Sequence, residues 1–267
     1  MIKVKSLLNK VANFFYNIPR ILFINFYKLF IRLNVFNIKN IPENGPAILA
    51  INHVTGADPI IILGAIKKQI YFLAESENFK SRFTNFFMRR FANSVPIFKK
   101  QFMKNIKSFK ELFTISANKK KFFLGIFPEG DLNKKGKLKK FHKGAAYFSY
   151  KTKIPIIPIY IHNLRKGPSK KRWVGRNNVT EGIIALFINI FKKINIFVGD
   201  PINPMAENII EDFKELKDKK TYREITQNIN KTLEDEFLEL EAEAEKLFGE
   251  DKMLDDIEEE DGYLINP

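Results

Sequence analysis

Ala47-Ile48-Leu49-Ala50-Ile51 is an apolar run of strand length, and Asn52-His53-Val54-Thr55-Gly56-Ala57-Asp58-Pro59 follows it directly. The apolar stretch Ile60 to Ile66 then reads as helical, and the turn cluster Pro42-Glu43-Asn44-Gly45-Pro46 precedes the whole unit. The same succession recurs downstream. Ile70 to Ala74 reads as a strand, Phe79 to Ala92 as a helix mixing Phe with Arg and Lys, and Val95 to Phe98 as a strand. Lys104 to Asn118 reads as an amphipathic helix, and Phe122 to Phe127 as a buried-type strand stopping at Pro128-Glu129-Gly130. Ile154 to Ile161 and Ile194 to Val198 are further strands, the last before Gly199-Asp200-Pro201. Strands alternating with helical stretches predict an α/β fold, a mixed, largely parallel sheet covered by helices.

Outward from this unit, the N-terminal stretch from Met1 to about Asn37 is apolar with interspersed Lys3, Lys5, Lys10, Arg20, Lys28 and Arg32. No uninterrupted apolar run there approaches the ~20 residues of a simple membrane span. Arg20 splits the stretch and no small-residue cleavage site follows, so a secretory signal peptide fits poorly. A first helix is expected over Lys5 to Tyr16, with Pro19 in the first turn of a second. Plotted at 100° per residue, Pro19 to Phe36 gathers Arg20, Asn25, Lys28 and Arg32 within roughly 140° of one another, with Ile21, Leu22, Phe26, Leu29 and Phe30 mostly outside. Such a helix can lie in a lipid interface or pack on the soluble core; periodicity alone leaves both open.

The other end is acidic. Between Glu234 and Asp261 stand 15 acidic residues and two lysines, a local net of −13, so the rest carries 43 basic and 15 acidic residues, a net of +28. The overall +15 is therefore a very basic body plus an acidic tail. A basic body points to nucleic acid, anionic lipid or phosphorylated substrate without choosing among them. Ile209 to Phe248 reads as helical and increasingly acidic, and Asp251 to Pro267 as a mobile tail. The three expected parts are residues 1–37, 38–206 and 207–267 of a chain of 267. With 45% apolar residues the chain can build a real core. Zero cysteines exclude disulfides, thiolate catalysis and Cys-based metal sites, and three histidines argue against a His-rich one.

Two constellations carry chemistry. His53 and Asp58 stand five positions apart, and a carboxylate on one ring nitrogen fixes the tautomer of a histidine and stabilises its imidazolium. The simplest task for such a pair is general-base activation of a substrate hydroxyl, although a capping or surface histidine would give the same spacing. Phe127-Pro128-Glu129-Gly130 ends an apolar run, where α/β sheets bind ligands; a plain turn would also read this way.

Together and in this order, with Glu129 76 residues after His53, the two blocks resemble the 1-acylglycerol-3-phosphate acyltransferase family. Asn93-Ser94-Val95-Pro96-Ile97-Phe98-Lys99 looks like its intervening block, and Ile154-Pro155-Ile156-Ile157-Pro158-Ile159 like its closing one. Phe141-His142-Lys143-Gly144-Ala145 resembles its basic segment, and Val198-Gly199-Asp200-Pro201-Ile202 its final strand. The resemblance runs from about Ile41 to Ile202, about 60% of the chain.

The resemblance implies a glycerolipid acyltransferase-like α/β domain with an N-terminal amphipathic membrane-docking element on the cytoplasmic face of a membrane, peripheral or monotopic. It implies transfer of a fatty acyl group from an acyl carrier protein or coenzyme A thioester to a lysophospholipid hydroxyl, without acyl-enzyme, metal or further cofactor. His53 would be the base, Asp58 its orienting partner, and Glu129, Gly130, Lys99 and Lys143 substrate-binding residues. The expected partners are an anionic phospholipid surface, the thioester and the acceptor, not nucleic acid, for which no known binding motif is present. One departure bears on the acceptor. Members using lysophosphatidate continue Glu-Gly with Thr-Arg, whose arginine helps hold the phosphate, whereas Asp131 and Leu132 stand here. The intervening block, too, ends in Lys99 in place of arginine, a point charge without the bidentate fork. His142 is read as a surface group in a lysine-rich stretch, and His162 as a strand-end polar residue.

Overall fold

The computed structural model describes residues 18, 21–98, 123–130, 132, 138, 140–165, 178–206 and 219–250. In chain order these form helix α1 (residues 21–30), β1 (Arg32–Phe36), β2 (Ala47–Ile51), α2 (Asp58–Ala65), β3 (Ile70–Glu75), α3 (Arg82–Arg90) and β4 (Ser94–Ile97). Then come β5 (Phe123–Ile126), α4 (Gly144–Thr152), β6 (Ile156–His162), α5 (Asn178–Ile188), β7 (Lys193–Val198) and α6 (Lys219–Phe248). The strands make one seven-stranded sheet in the order β1-β7-β6-β2-β5-β3-β4. Every neighbouring pair is parallel except β6 with β7, so the expected mixed, largely parallel α/β sheet is what forms.

The quoted run Ala47–Ile51 lies at the centre, paired with β5 on one side and β6 on the other, and all five residues are buried. A strand covered on both faces has no polar side to present, which is why it reads as unbroken apolar sequence. Its side chains alternate between two cores. Ala47, Leu49 and Ile51 join the core under α1, α2, α3 and α5. Ile48 and Ala50 join the opposite core, under α4 and α6. On α6 the buried residues Ile225, Ile229, Leu233, Phe237, Leu240 and Ala244 recur every three or four positions, so one stripe of this acidic helix closes the second core.

The N-terminal helical plot needs a correction. It ran through Phe36, but the helix ends at residue 30 and Arg32–Phe36 forms edge strand β1, paired with β7. Leu33 and Val35 face one core and Phe36 the other, a period of two that the longer helical pattern obscured. Helices α4 and α5 were also not anticipated. Helix α1 packs on the core through Ile24 and Tyr27, joined by Ile31 just after it, and the Tyr27 hydroxyl donates to the Leu186 carbonyl of α5 at 2.9 Å. Burial holds that phenol above its ordinary pKa. The expected helices Lys5–Tyr16 and Lys104–Asn118, residues 207–218, and the tail Asp251–Pro267 lie outside the described residues.

Candidate active site

The carboxyl ends of the parallel strands β2, β5, β3 and β4 point the same way, and a cavity of about 540 Å³ opens above them. That is where an open α/β sheet places its ligands, and the volume is within the usual range for a small-molecule site. Phe72, Phe87, Met88, Ile97, Ile126 and Phe127 give it a largely apolar wall. His53, Gly130 and His142 line it as well.

His53 comes one residue after the last peptide that β2 anchors. Asn52 holds the strand end in place: its side-chain amide donates to the Ile161 carbonyl at 3.0 Å and its carbonyl accepts the Ile161 N–H at 2.7 Å. The chain then turns tightly around Asp58, which is fully buried at the start of α2. Its Oδ2 accepts the Val54 N–H at 2.7 Å, and its Oδ1 accepts the Thr55 N–H and the Thr55 hydroxyl, each at 3.0 Å. The Thr55 oxygen in turn accepts the Ala57 N–H at 3.0 Å. One carboxylate thus folds residues 54–58 around itself.

The same Oδ2 lies 2.8 Å from His53 Nδ1. Because that oxygen is already an acceptor within the loop, the shared proton is assigned to Nδ1, and Nε2 keeps its lone pair. Nε2 has no hydrogen-bond partner among the described residues. The side chain of His53 is 17% exposed, and it lines the cavity. An imidazole in this state is arranged to take a proton from a group in the cavity, and the carboxylate behind it stabilises the resulting cation.

Two further contacts fix the ring. His53 stacks on Phe127 with centroids 4.1 Å apart and planes 20° apart, and Phe127 stacks on Phe72 at 5.9 Å. Phe72 lies across Gly125, where a Cβ would collide with its ring. Glu129, read from sequence as substrate-binding, is buried, and its Oε1 accepts the His53 N–H at 2.8 Å. Gly130 adopts left-handed backbone with φ 73°, and His142 lies against its open side. The turn is closed by the Gly130 N–H donating to Phe127 and the His142 N–H donating to Pro128.

Lys143 is exposed at the start of α4, next to the cavity-lining His142 and Gly144. Lys99 and Asp131 lie outside the described residues, whereas Leu132 lines the cavity. Residues 93–97 of the intervening block supply β4 and, through Ser94 and Ile97, part of the cavity wall. Asn93 adopts left-handed backbone (φ 48°) and donates to the Ile70 carbonyl, tying β4 to β3. Among the described residues no group of three His, Cys, Asp or Glu side chains gathers to hold a metal ion. Sequence reading missed the Phe72–Phe127–His53 stack and Glu181, whose Oε2 accepts the Gly56 N–H at 2.6 Å from α5, 125 residues away. Neither carries a local sequence signal.

Comparison with known proteins bears on the same strands. The Acyltransferase family model matches residues 32–162, from the start of β1 to the end of β6. A curated 1-acyl-sn-glycerol-3-phosphate acyltransferase of Borreliella burgdorferi is 25% identical over 166 residues, 62% of this chain and 63% of its own length. The chain thus spans about 63% of that relative. Among solved structures, the 1-acyl-sn-glycerophosphate (LPA) acyltransferase PlsC from Thermotoga maritima is similar in fold, with a TM-score of 0.51 and 20% identity over 91% of this chain and 100% of that one.

Proposed function

Because the Acyltransferase family model matches residues 32–162, which hold the His53–Asp58 pair and the cavity-lining strand ends, we propose that the chain transfers a fatty acyl group from acyl carrier protein or coenzyme A to the free hydroxyl of 1-acylglycerol-3-phosphate, giving phosphatidic acid. The observation that carries this reading is the His53–Asp58 pair, with His53 lining a largely apolar cavity. The acyl chain lies along Phe72, Phe87, Met88 and Ile97, with its carbonyl near His53. His53 Nε2 takes the hydroxyl proton as the oxygen attacks the thioester carbonyl. The new C–O bond forms, the C–S bond breaks, and the thiolate leaves with the proton returned by the imidazolium. A positioned base of this kind contributes about 10²–10⁴-fold.

The protein works from the cytoplasmic face of an anionic membrane surface, held there peripherally. Among the described residues no helix is long and apolar enough to cross a membrane. Helix α1 is apolar on both sides: one side meets the core, and Leu22, Phe26 and Leu29 on the other are more than 60% exposed. The apolar surface continues in both directions. Phe30 meets Phe191 after α5 at 6.2 Å, and Phe23 meets Phe91, which packs on the exposed Phe86 of α3 at 5.9 Å. Arg82, Arg89 and Arg90 stand around that last region. Burial first, and then the nearby Lys67 charge, hold the Lys28 ammonium of this helix below its ordinary pKa.

A second reading keeps the chemistry and changes the acceptor to another lysolipid or lipid hydroxyl. It is favoured by Leu132, an apolar residue lining the cavity two positions after Gly130, where a phosphate-holding arginine would stand in the lysophosphatidate users. One labelled thioester offered to a panel of acceptors on vesicles decides between them. Transfer to 1-acylglycerol-3-phosphate and not to phosphate-free lysolipids supports the first reading; the reverse supports the second. Full activity in His53→Ala would sink both.

A further inference from the structure

Asp58 organises every backbone amide of the His53 loop that it can reach, and it does not reach Gly56. The Val54 and Thr55 amides donate to its carboxylate and the Ala57 amide donates to the Thr55 hydroxyl oxygen. The Gly56 N–H points out of the loop and donates to Glu181 Oε2 at 2.6 Å. Glu181 stands in the first turn of α5, where the exposed N–H groups of the helix favour a negative charge. The approach of the two segments is as close as backbone allows. A Cβ on Gly182 would lie 2.5 Å from the Gly56 carbonyl carbon, 2.6 Å from its oxygen and 3.0 Å from the Ala57 nitrogen. These are main-chain atoms, so no rotamer change could make room. Gly56 itself lines the cavity.

We propose that Glu181 is a positioning residue for acyl transfer: together with Gly182 it clamps the start of α5 onto Gly56 and so holds His53 at its working distance from the reacting hydroxyl. The inference rests on the acyltransfer reading above and adds to it a residue beyond the family-matched range of 32–162. The loop has two further holds. Asp58 holds it from within through Val54 and Thr55, and Glu129, in the turn after β5, holds the His53 amide. Glu181 holds Gly56, whose amide neither of them takes. Without it, the Gly56–Ala57 peptide loses its tie to α5, and the loop leading from His53 to Asp58 can shift while Val54 and Thr55 keep their bonds to the Asp58 carboxylate. A displacement of about 1 Å at a catalytic group costs on the order of 10²-fold in rate. The loss falls on the chemical step, because Glu181 is not among the residues lining the cavity that takes the substrates.

Three full-length proteins test the clamp: wild type, Glu181→Ala and Glu181→Gln. The glutamine carbonyl can still accept the Gly56 N–H, so the Gln protein should keep near wild-type kcat. Glu181→Ala should lose about 10²-fold in kcat with KM for thioester and acceptor unchanged. Amide hydrogen exchange read at Gly56 should be slow in wild type and Gln, and fast in Ala, with core strand amides unaffected. Wild-type kcat in Glu181→Ala, or equal loss in both variants, or slow Gly56 exchange in Glu181→Ala, would overturn the clamp. If the wild type transfers no acyl group, the acyltransfer reading fails on its own, and Gly56 exchange still reports whether Glu181 holds the loop. Gly182→Ala should reproduce the loss of Glu181→Ala, since its methyl group pushes the helix off the loop.

Discussion

Asp58→Asn isolates what the carboxylate does for His53 from what it does for the fold. The amide oxygen can sit at the Oδ2 position, 2.7 Å from the Val54 N–H and 2.8 Å from His53 Nδ1, which preserves the tautomer. The NH₂ group then faces the Thr55 hydroxyl, which can rotate to accept from it, while the Thr55 N–H keeps its longer 3.1 Å contact to the oxygen. Packing and most hydrogen bonds survive; the negative charge does not. With the imidazolium formed, the two charge centres lie about 4 Å apart, worth about 4 kcal/mol at an effective dielectric of 20. At 1.36 kcal/mol per factor of ten, that loss is about 10³-fold in kcat. The assay is single-turnover transfer of a labelled acyl group on vesicles, with the thermal unfolding midpoint measured in parallel. A folded Asp58→Asn protein within a few-fold of wild-type kcat would refute the assignment of Asp58 as the partner that stabilises the protonated base. Asp58→Ala is the poorer test, because it strands two buried N–H groups at about 1–3 kcal/mol each and confounds chemistry with folding.

Gly130→Ala should destabilise by about 1–2 kcal/mol, since alanine resists left-handed backbone and its Cβ would lie 2.6 Å from the His142 ring; an unchanged denaturation midpoint would contradict the turn described. His162 is buried, with Nε2 toward the Gly249 carbonyl and Nδ1 without a partner among the described residues. Burial lowers its pKa, outweighing the opposing effects of that carbonyl and of Glu245. The folded chain therefore resists a proton that the unfolded chain accepts near pH ~6.5, so the stabilisation is complete above that pH and is lost as pH falls through the lower folded value. His162→Gln should flatten the fall in unfolding midpoint between about pH 7 and about pH 5; identical slopes would remove His162 as the cause. Phe26→Ser with Leu29→Ser should weaken vesicle flotation by roughly tenfold or more per residue, as each buried side chain of this size contributes about 1.5–3 kcal/mol; undiminished flotation would move the docking surface elsewhere.

Much was legible before the structure because it is written in short-range pattern. β2, β5, β6 and β7 are apolar runs ended by turn residues, and burial on both faces makes such runs conspicuous. His53 and Asp58 stand five positions apart in one turn, close enough along the chain for a local reading to pair them. β1 was hidden for the opposite reason. An edge strand of five residues offers two alternations, Leu33 and Val35, within a longer stretch that also satisfies a helical period.

By itself the sequence determined the α/β class, the strand Ala47–Ile51 and the spacing of His53 and Asp58, because each depends on residues within about ten positions of one another. The tertiary structure alone decided which groups surround His53. Parallel pairing of β2 with β5 sets the Glu129 carboxylate on the His53 N–H across 76 residues and lays Phe127 against its ring. The return of α5 over the loop brings Glu181 to Gly56 across 125. Register and helix placement are settled by how two cores fill, and no local periodicity records that.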